Sequence, residues 1–171
     1  ESYYENGEIN TKGRFVEGKM SGRWEVFHAD GSRKTQTDYQ NGIKHGTETL
    51  YDENGSIYQK AGYKEGVING LWERYVDGIL VEKGTYIEGK KDGLWVFYAQ
   101  NGYKQREQEF KQGKPNGKWI EYYSANKKSA EGEYTDGQKS GTWKNYDKRG
   151  NVLSETIFKN GKKVKEEIKK K

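Results

Sequence analysis

One sequence feature constrains the fold of this chain more than any other: a unit of about 24 residues recurs along its 171 residues. A tryptophan marks five units and Glu48 takes its place in a sixth; the tryptophans are Trp24, Trp72, Trp95, Trp119 and Trp143. Three residues after each marker comes another aromatic residue: Phe27, Tyr51, Tyr75, Tyr98, Tyr122 and Tyr146. A further aromatic column holds Phe15, Tyr39, Tyr63, Tyr86, Phe110, Tyr134 and Phe158. A fixed period of this length indicates a repeat architecture.

Glycines follow the same period in three columns. The columns are Gly18, Gly42, Gly66, Gly89, Gly113, Gly137 and Gly161; then Gly22, Gly46, Gly70, Gly93, Gly117 and Gly141; then Gly7, Gly31, Gly55, Gly78, Gly102 and Gly150, with Asn126 replacing one glycine. Pairs such as Asp30-Gly31 predict hairpin turns, because both residue types tolerate positive φ. The runs between turns have strand length and are rich in Trp, Tyr, Thr, Val and Ile. Segments such as 88–93 are expected to be glycine-bracketed loops that link one hairpin to the next.

These patterns predict an all-β fold, an elongated antiparallel meander of about seven stacked β-hairpins in a single domain. The array spans residues 1–161, with a partial unit at 1–17 and repeats starting near 18, 42, 66, 89, 113 and 137. Residues 162–171 form a Lys-rich C-terminal cap or tail, in which Glu167 occupies the tryptophan column. The N-terminal edge lacks such a polar replacement, which suggests end-to-end self-association there. Trp24 and Phe27 lie three apart, so either a bulge brings them to one face or both faces carry aromatic residues.

Composition explains how such an array must be stabilised. Hydrophobic residues make up 30% of the chain and charged residues 33%, so stacked aromatic side chains have to supply most of the core. The absence of cysteine excludes disulfides and thiolate chemistry. The net charge of +5 belongs to residues 159–171, since the remainder is balanced, and this makes nucleic acid an unlikely partner. A chain that begins at Glu1 rather than Met suggests a processed protein, for which export or the cell surface is favoured over the cytoplasm.

Two segments carry a family resemblance. Residues 89–102, GKKDGLWVFYAQNG, and residues 113–123, GKPNGKWIEYY, resemble the MORN repeat, in particular the bacterial variant found in the YwqK-like antitoxin family. The resemblance implies sheets of hairpins used for protein association and sometimes for membrane proximity. MORN arrays also occur beside lipid kinase domains, but this sequence contains none of the kinase motifs.

The residue pattern favours a binding protein over an enzyme. His28 and His45 are expected in a turn and a loop as solvated residues, and nothing indicates a metal or a cofactor. The aromatic columns are interpreted as core, with a stacking platform for a ligand as the alternative. A row of loop lysines is the candidate binding site: Lys19, Lys44, Lys90, Lys91, Lys114, Lys139, Lys162 and Lys163. The leading hypothesis is a scaffold that binds a protein partner, either as an antitoxin-like protein or as a surface adhesion module. The alternative is a module that binds carbohydrate, cell wall or anionic lipid headgroups. The lysine row would allow contact with an anionic surface or membrane.

Overall fold

The structure is a computed structural model that describes residues 1–169, and it contains 15 antiparallel strands whose order across the sheet follows their order in the chain. The strands are β1 (Ser2–Tyr3), β2 (Ile9–Val16), β3 (Lys19–Phe27), β4 (Arg33–Gln40), β5 (Ile43–Tyr51), β6 (Ile57–Lys64), β7 (Val67–Val76), β8 (Ile79–Ile87), β9 (Lys90–Tyr98), β10 (Lys104–Lys111), β11 (Lys114–Ser124), β12 (Lys127–Thr135), β13 (Gln138–Tyr146), β14 (Val152–Lys159) and β15 (Lys162–Ile168). The predicted all-β meander of hairpins is confirmed.

The chain divides into two compact units. Unit 1 comprises Glu1–Leu80 and Tyr86–Gly89, and unit 2 comprises Val81–Thr85 and Lys90–Lys171. Within each unit a strand pairs with the strands before and after it, so the contacts that stabilise a hairpin come from its neighbours, as in other repeat proteins.

Two-residue turns occur throughout the first glycine column, and the predicted turn at Asp77-Gly78 of the third column is another. Glu88 and Gly89 both have positive φ, 49° and 76°, as in the two-residue type I′ turn whose twist matches that of antiparallel strands. The prediction of a loop over 88–93 is therefore wrong, because strand β9 already begins at Lys90. The Asp30-Gly31 turn is longer than predicted: residues 28–32 form it, and the His28 N–H donates to the Ser32 carbonyl at 2.8 Å.

The second glycine column lies inside strands, at bulges. Ala61 pairs with Trp72 and Tyr63 with Ile68, so three residues of β7 lie opposite the single residue Gly62 of β6. Gly70, within this bulge, has φ of 104°, which a residue with a side chain rarely adopts.

The last strand pair departs from this pattern. Thr156 pairs with Glu166 rather than with Glu167, so the predicted placement of Glu167 in the tryptophan column is wrong by one residue. The reason is the missing second glycine, because without it the bulge beside Phe158 contains one extra residue rather than two.

Aromatic residues occupy both faces of the sheet, the second of the two alternatives left open by the sequence. Strand β3 advances one residue at a time from Trp24 to Phe27, and the extra residue at the bulge, Lys34, lies on β4. Side chains alternate along such a strand, so Trp24 and Phe27 point to opposite faces.

The tryptophan face holds the core, and small residues opposite the indoles make this packing possible. Trp95 is fully buried, and a Cβ placed on Gly84 would lie 2.2 Å from its Cδ2 atom. The Trp95 Nε1–H donates to the Thr85 carbonyl at 3.2 Å. Trp143 packs against Gly132 as Trp95 packs against Gly84. The sequence patterns did not predict this column of small residues opposite the indoles, which contains Gly13, Gly84 and Gly132.

Candidate interaction surface

The two-residue turns of each unit are joined into a row by hydrogen bonds. In unit 1 the Gly42 N–H donates to the Met20 carbonyl and the Gly66 N–H to the Lys44 carbonyl, both at 2.8 Å. In unit 2 the Gly137 N–H donates to the Pro115 carbonyl at the same distance. We call this side of each unit its tight-turn edge. Because each turn is tied to the one before it, side chains beside the turns are held at fixed spacing.

The tight-turn edge of unit 1 displays aliphatic side chains. Val16, Ile43, Val67 and Ile87 flank the turns and are 50%, 50%, 47% and 50% exposed, and we call these four residues the apolar row. Ile43 and Val67 each follow a turn directly. The Cγ2 atom of Ile43 lies 3.1 Å from the Cβ position at Gly66, so this side chain rests against the next turn.

The tight-turn edge of unit 2 displays lysines at the same positions. We call these residues the basic row: Lys90, Lys111, Lys114, Lys159 and Lys162, all of them exposed. Lys111 pairs across the turn with Lys114, and Lys159 with Lys162, which places the members of each pair on one face. Within residues 1–169, none of the five has a carboxylate within ion-pair distance.

The structure separates the eight lysines of the sequence prediction into two groups. The first residue after each turn points away from the tryptophan face, and this group contains Lys19, Lys90, Lys114 and Lys162. The second residue after each turn points to the tryptophan face, and this group contains Lys44, Lys91, Lys139 and Lys163. Lys111 and Lys159 were missed because they precede the turns; the register of the hairpin, which the two-residue turn fixes, could have identified them.

Three of the inward-facing lysines, Lys44, Lys91 and Lys139, cover aromatic rings, whereas Lys163 pairs with Glu166. The Nζ atom of Lys91 lies 3.8 Å from the Trp95 ring centroid and 3.0 Å from Glu82, and that of Lys139 lies 4.0 Å from the Trp143 ring centroid. Ammonium groups are attracted to the faces of such rings. These lysines therefore stabilise the core, and their charges are already engaged.

Glu48, the residue in place of a tryptophan, lies in a polar cluster. It is buried, forms an ion pair with Lys44 and accepts a hydrogen bond from the Thr37 hydroxyl at 3.2 Å. Burial and the nearby Glu48 carboxylate raise the pKa of Tyr63. The cluster satisfies Glu48 internally, so this carboxylate is a structural replacement for the indole.

Tyrosines on the opposite face hold acidic side chains. The Tyr122 hydroxyl donates to Glu107 and the Tyr146 hydroxyl to Glu131. Burial and the hydrogen bond to Glu131 raise the pKa of Tyr146 to about 12. A hydrogen bond from Lys128, 2.7 Å away, and one from Tyr146 lower the pKa of Glu131.

The remaining predicted positions have no shared site. His28 lies in a turn and His45 lies exposed on β5, and residues 1–169 contain no group of three or more His, Cys, Asp or Glu side chains arranged for a metal ion. Trp95 and Trp143 are buried, so neither ring offers a free face to a sugar. No helix in the described part of the chain could cross a membrane.

The comparison with protein families supports the repeat assignment. A family model described as "MORN repeat variant" matches residues 44–65 and 139–160, about a quarter of the chain. Both segments begin two residues after a tight-turn glycine and end at the residue before the next one, so they match in the same phase of the repeat. None of the curated proteins compared with the chain matches it. MORN repeats form a non-catalytic fold generally associated with binding of proteins or membrane lipids.

Proposed function

We propose, from the premise that the chain is built of MORN-type repeats, that it is a non-enzymatic scaffold whose unit 1 binds another protein through the apolar row. The observation that carries this proposal is the exposure of the four β-branched side chains on a hydrogen-bonded row of turns. A turn favours polar residues, so aliphatic side chains at successive turns are unexpected unless a partner covers them.

The apolar row suits a protein partner because it combines exposed aliphatic area with fixed positions. Equivalent turns are two strands apart, which corresponds to a spacing of about 9–10 Å. Lys19 and Lys64 pair across the turns with Val16 and Val67 and supply a polar rim. Apolar contacts surrounded by charged groups are typical of protein interfaces. The resemblance to the antitoxin family suggests a toxin as the specific partner, and a partner on another cell would be the form that this function takes in a surface adhesion module.

A second candidate is contact with an anionic surface through the basic row of unit 2. Five exposed lysines without a partnering carboxylate would each contribute about 1 kcal/mol near an anionic membrane. Anionic lipid headgroups fit this row better than carbohydrate does, because it presents charges and no aromatic ring.

The first test is affinity capture from native host extract with two double variants. Ile43→Asp with Val67→Asp places charges in the apolar row, whereas Leu94→Asp with Tyr103→Asp changes two similarly exposed residues, 52% and 50%, in unit 2. We expect a partner captured by the wild-type protein to be lost from the first variant and kept by the second. Equal loss from both variants, or no protein captured above the level of an unrelated repeat protein, would contradict the proposal.

The second test uses vesicle flotation. We expect binding to phosphatidylserine-containing vesicles at low salt, weakened in Lys111→Gln with Lys114→Gln and unchanged in Ile43→Asp with Val67→Asp. Binding that is as strong without the two lysines as with them would exclude the basic row as the contact.

A further inference from the structure

The repeat breaks at Asn126, and a recess lies there. Two residues, 125 and 126, connect β11 to β12, whereas five residues, 147–151, connect β13 to β14 on the same edge of unit 2. The Tyr123 hydroxyl donates to the Tyr146 carbonyl at 2.7 Å and joins the two connections. The shorter connection ends beside the longer one and leaves an open recess of about 390 Å³.

The lining of this recess is strongly basic. Lys127 and Lys128 come from the start of β12, Lys148 and Arg149 from the five-residue turn, and Tyr146 forms one wall. No carboxylate belongs to the lining described in residues 1–169. An accumulation of like charges is unfavourable in the free protein, which makes a bound anion stabilising.

The neighbouring acidic groups do not neutralise the recess. Glu131 pairs with Lys128 at 2.7 Å. Asp147 is turned into its own turn, where its Oδ1 accepts the N–H groups of Arg149 at 2.8 Å and Asn151 at 2.9 Å. Within the described residues, Lys127, Lys148 and the Arg149 guanidinium form no ion pair. Of the four cationic side chains in the lining, only Lys128 is therefore paired with a carboxylate.

We propose that this recess binds a phosphate monoester, with the Arg149 guanidinium and the ammonium groups of Lys127 and Lys148 around the phosphate and the Tyr146 ring against the esterified group. A monoester carries between −1.5 and −2 charges at about pH 7 and offers three acceptor oxygens. The planar guanidinium can donate two parallel hydrogen bonds to such a group, and the ammonium groups add charge from the sides. A monocarboxylate would leave most of the positive charge uncompensated.

The tyrosine is suited to a structural role in the recess. Its hydroxyl donates to Glu131, so the ring is held in place and its face can contact the ligand. This proposal concerns the edge of unit 2 opposite the basic row and does not depend on the apolar row of unit 1.

The test is an NMR titration of the full chain with phenyl phosphate and, separately, with inorganic phosphate. We expect saturable shifts of the amide signals of residues 126–128 and 148–150, with phenyl phosphate binding more tightly than phenyl sulfate. Lys148→Ala with Arg149→Ala should weaken binding at least tenfold, and Arg149→Lys should retain part of it. The charge-matched control, Lys12→Ala with Lys34→Ala, removes two exposed lysines outside both the recess and the basic row and should bind as the wild type does. Shifts that do not saturate, or equal weakening by the two double variants, would overturn the proposal.

A vesicle arm identifies the source of the ester. Flotation with phosphatidic acid vesicles that is lost in Lys148→Ala with Arg149→Ala, and kept in Lys12→Ala with Lys34→Ala, would show that a lipid headgroup can enter the recess. Saturable binding of phenyl phosphate without such flotation would assign the recess to a soluble ester. If neither probe binds in a manner sensitive to Arg149, the recess is not a phosphate site.

Discussion

Replacing Gly84 by alanine would test the packing that defines the core of unit 2. The new methyl group would lie 2.2 Å from the Cδ2 and Cε2 atoms of Trp95, so the indole would have to move. Overpacking of this kind costs about 1–3 kcal/mol, and loss of the bond from Trp95 Nε1 to the Thr85 carbonyl costs about 1 kcal/mol. Alanine regains roughly 0.5–1 kcal/mol over glycine in a strand. We expect the free energy of unfolding to fall by about 2 kcal/mol.

A double-mutant cycle with Trp95→Leu shows whether the indole causes this loss. Urea denaturation followed by circular dichroism gives the stability of each variant, and hydrogen exchange at β8 and β9 shows whether the loss is confined to that strand pair. In the Trp95→Leu background, Gly84→Ala should cost little or even stabilise the chain, because the ring that it would strike is absent. An equal cost in both backgrounds would refute the packing argument.

Three further predictions concern other parts of the molecule. Glu48→Ala should lower the free energy of unfolding by about 2 kcal/mol in urea denaturation, because it leaves the half-buried Lys44 without its partner; unchanged stability would show that the pair contributes nothing. The folded-state pKa of Tyr146, about 12, lies above its unfolded value near 10, so its contribution to stability is complete below pH 10 and is lost between pH 10 and 12. Spectrophotometric titration should show Glu131→Gln shifting this tyrosine to lower pH, and an unshifted titration would contradict the assigned cause. Gly93→Ala should cost about 1–2 kcal/mol in thermal or urea unfolding through its φ of 70° alone, since no atom lies within 4 Å of the Cβ position, and Gly93→Asn should cost less.

The period of the sequence was sufficient to predict the class of fold, and the local signals predicted the two-residue turn at Asp77-Gly78 but not those of the first glycine column. The repeat of Trp95 and its equivalents indicated the phase of the hairpins. The Asp-Gly pairs predicted turns at other positions, whereas Glu88-Gly89, where a glutamate adopts positive φ, carries no such turn signal. That conformation is uncommon for glutamate, so its residue type gave no warning. The register around the turn imposes it.

The candidate surface was harder to predict because neighbouring residues serve opposite faces. Lys90 and Lys91 look alike in sequence, yet one is exposed and the other covers the Trp95 ring. Ile43 and Val67 fall in segments predicted as glycine-bracketed loops, whereas the structure places them at the first positions of β5 and β7, where they are about half exposed. The phosphate recess depends on the different lengths of two connections, which the replacement of glycine by Asn126 signalled only as an irregularity.

Site-specific photo-crosslinking tests most directly whether unit 1 binds a protein partner through its apolar row, as we propose. A photoreactive residue at position 67 should give one discrete crosslinked product with a native host protein, while the same residue at position 94, which is exposed to a similar degree in unit 2, should give none. Crosslinking of equal yield and pattern from both positions, or none from position 67 in the presence of a captured partner, would contradict the account.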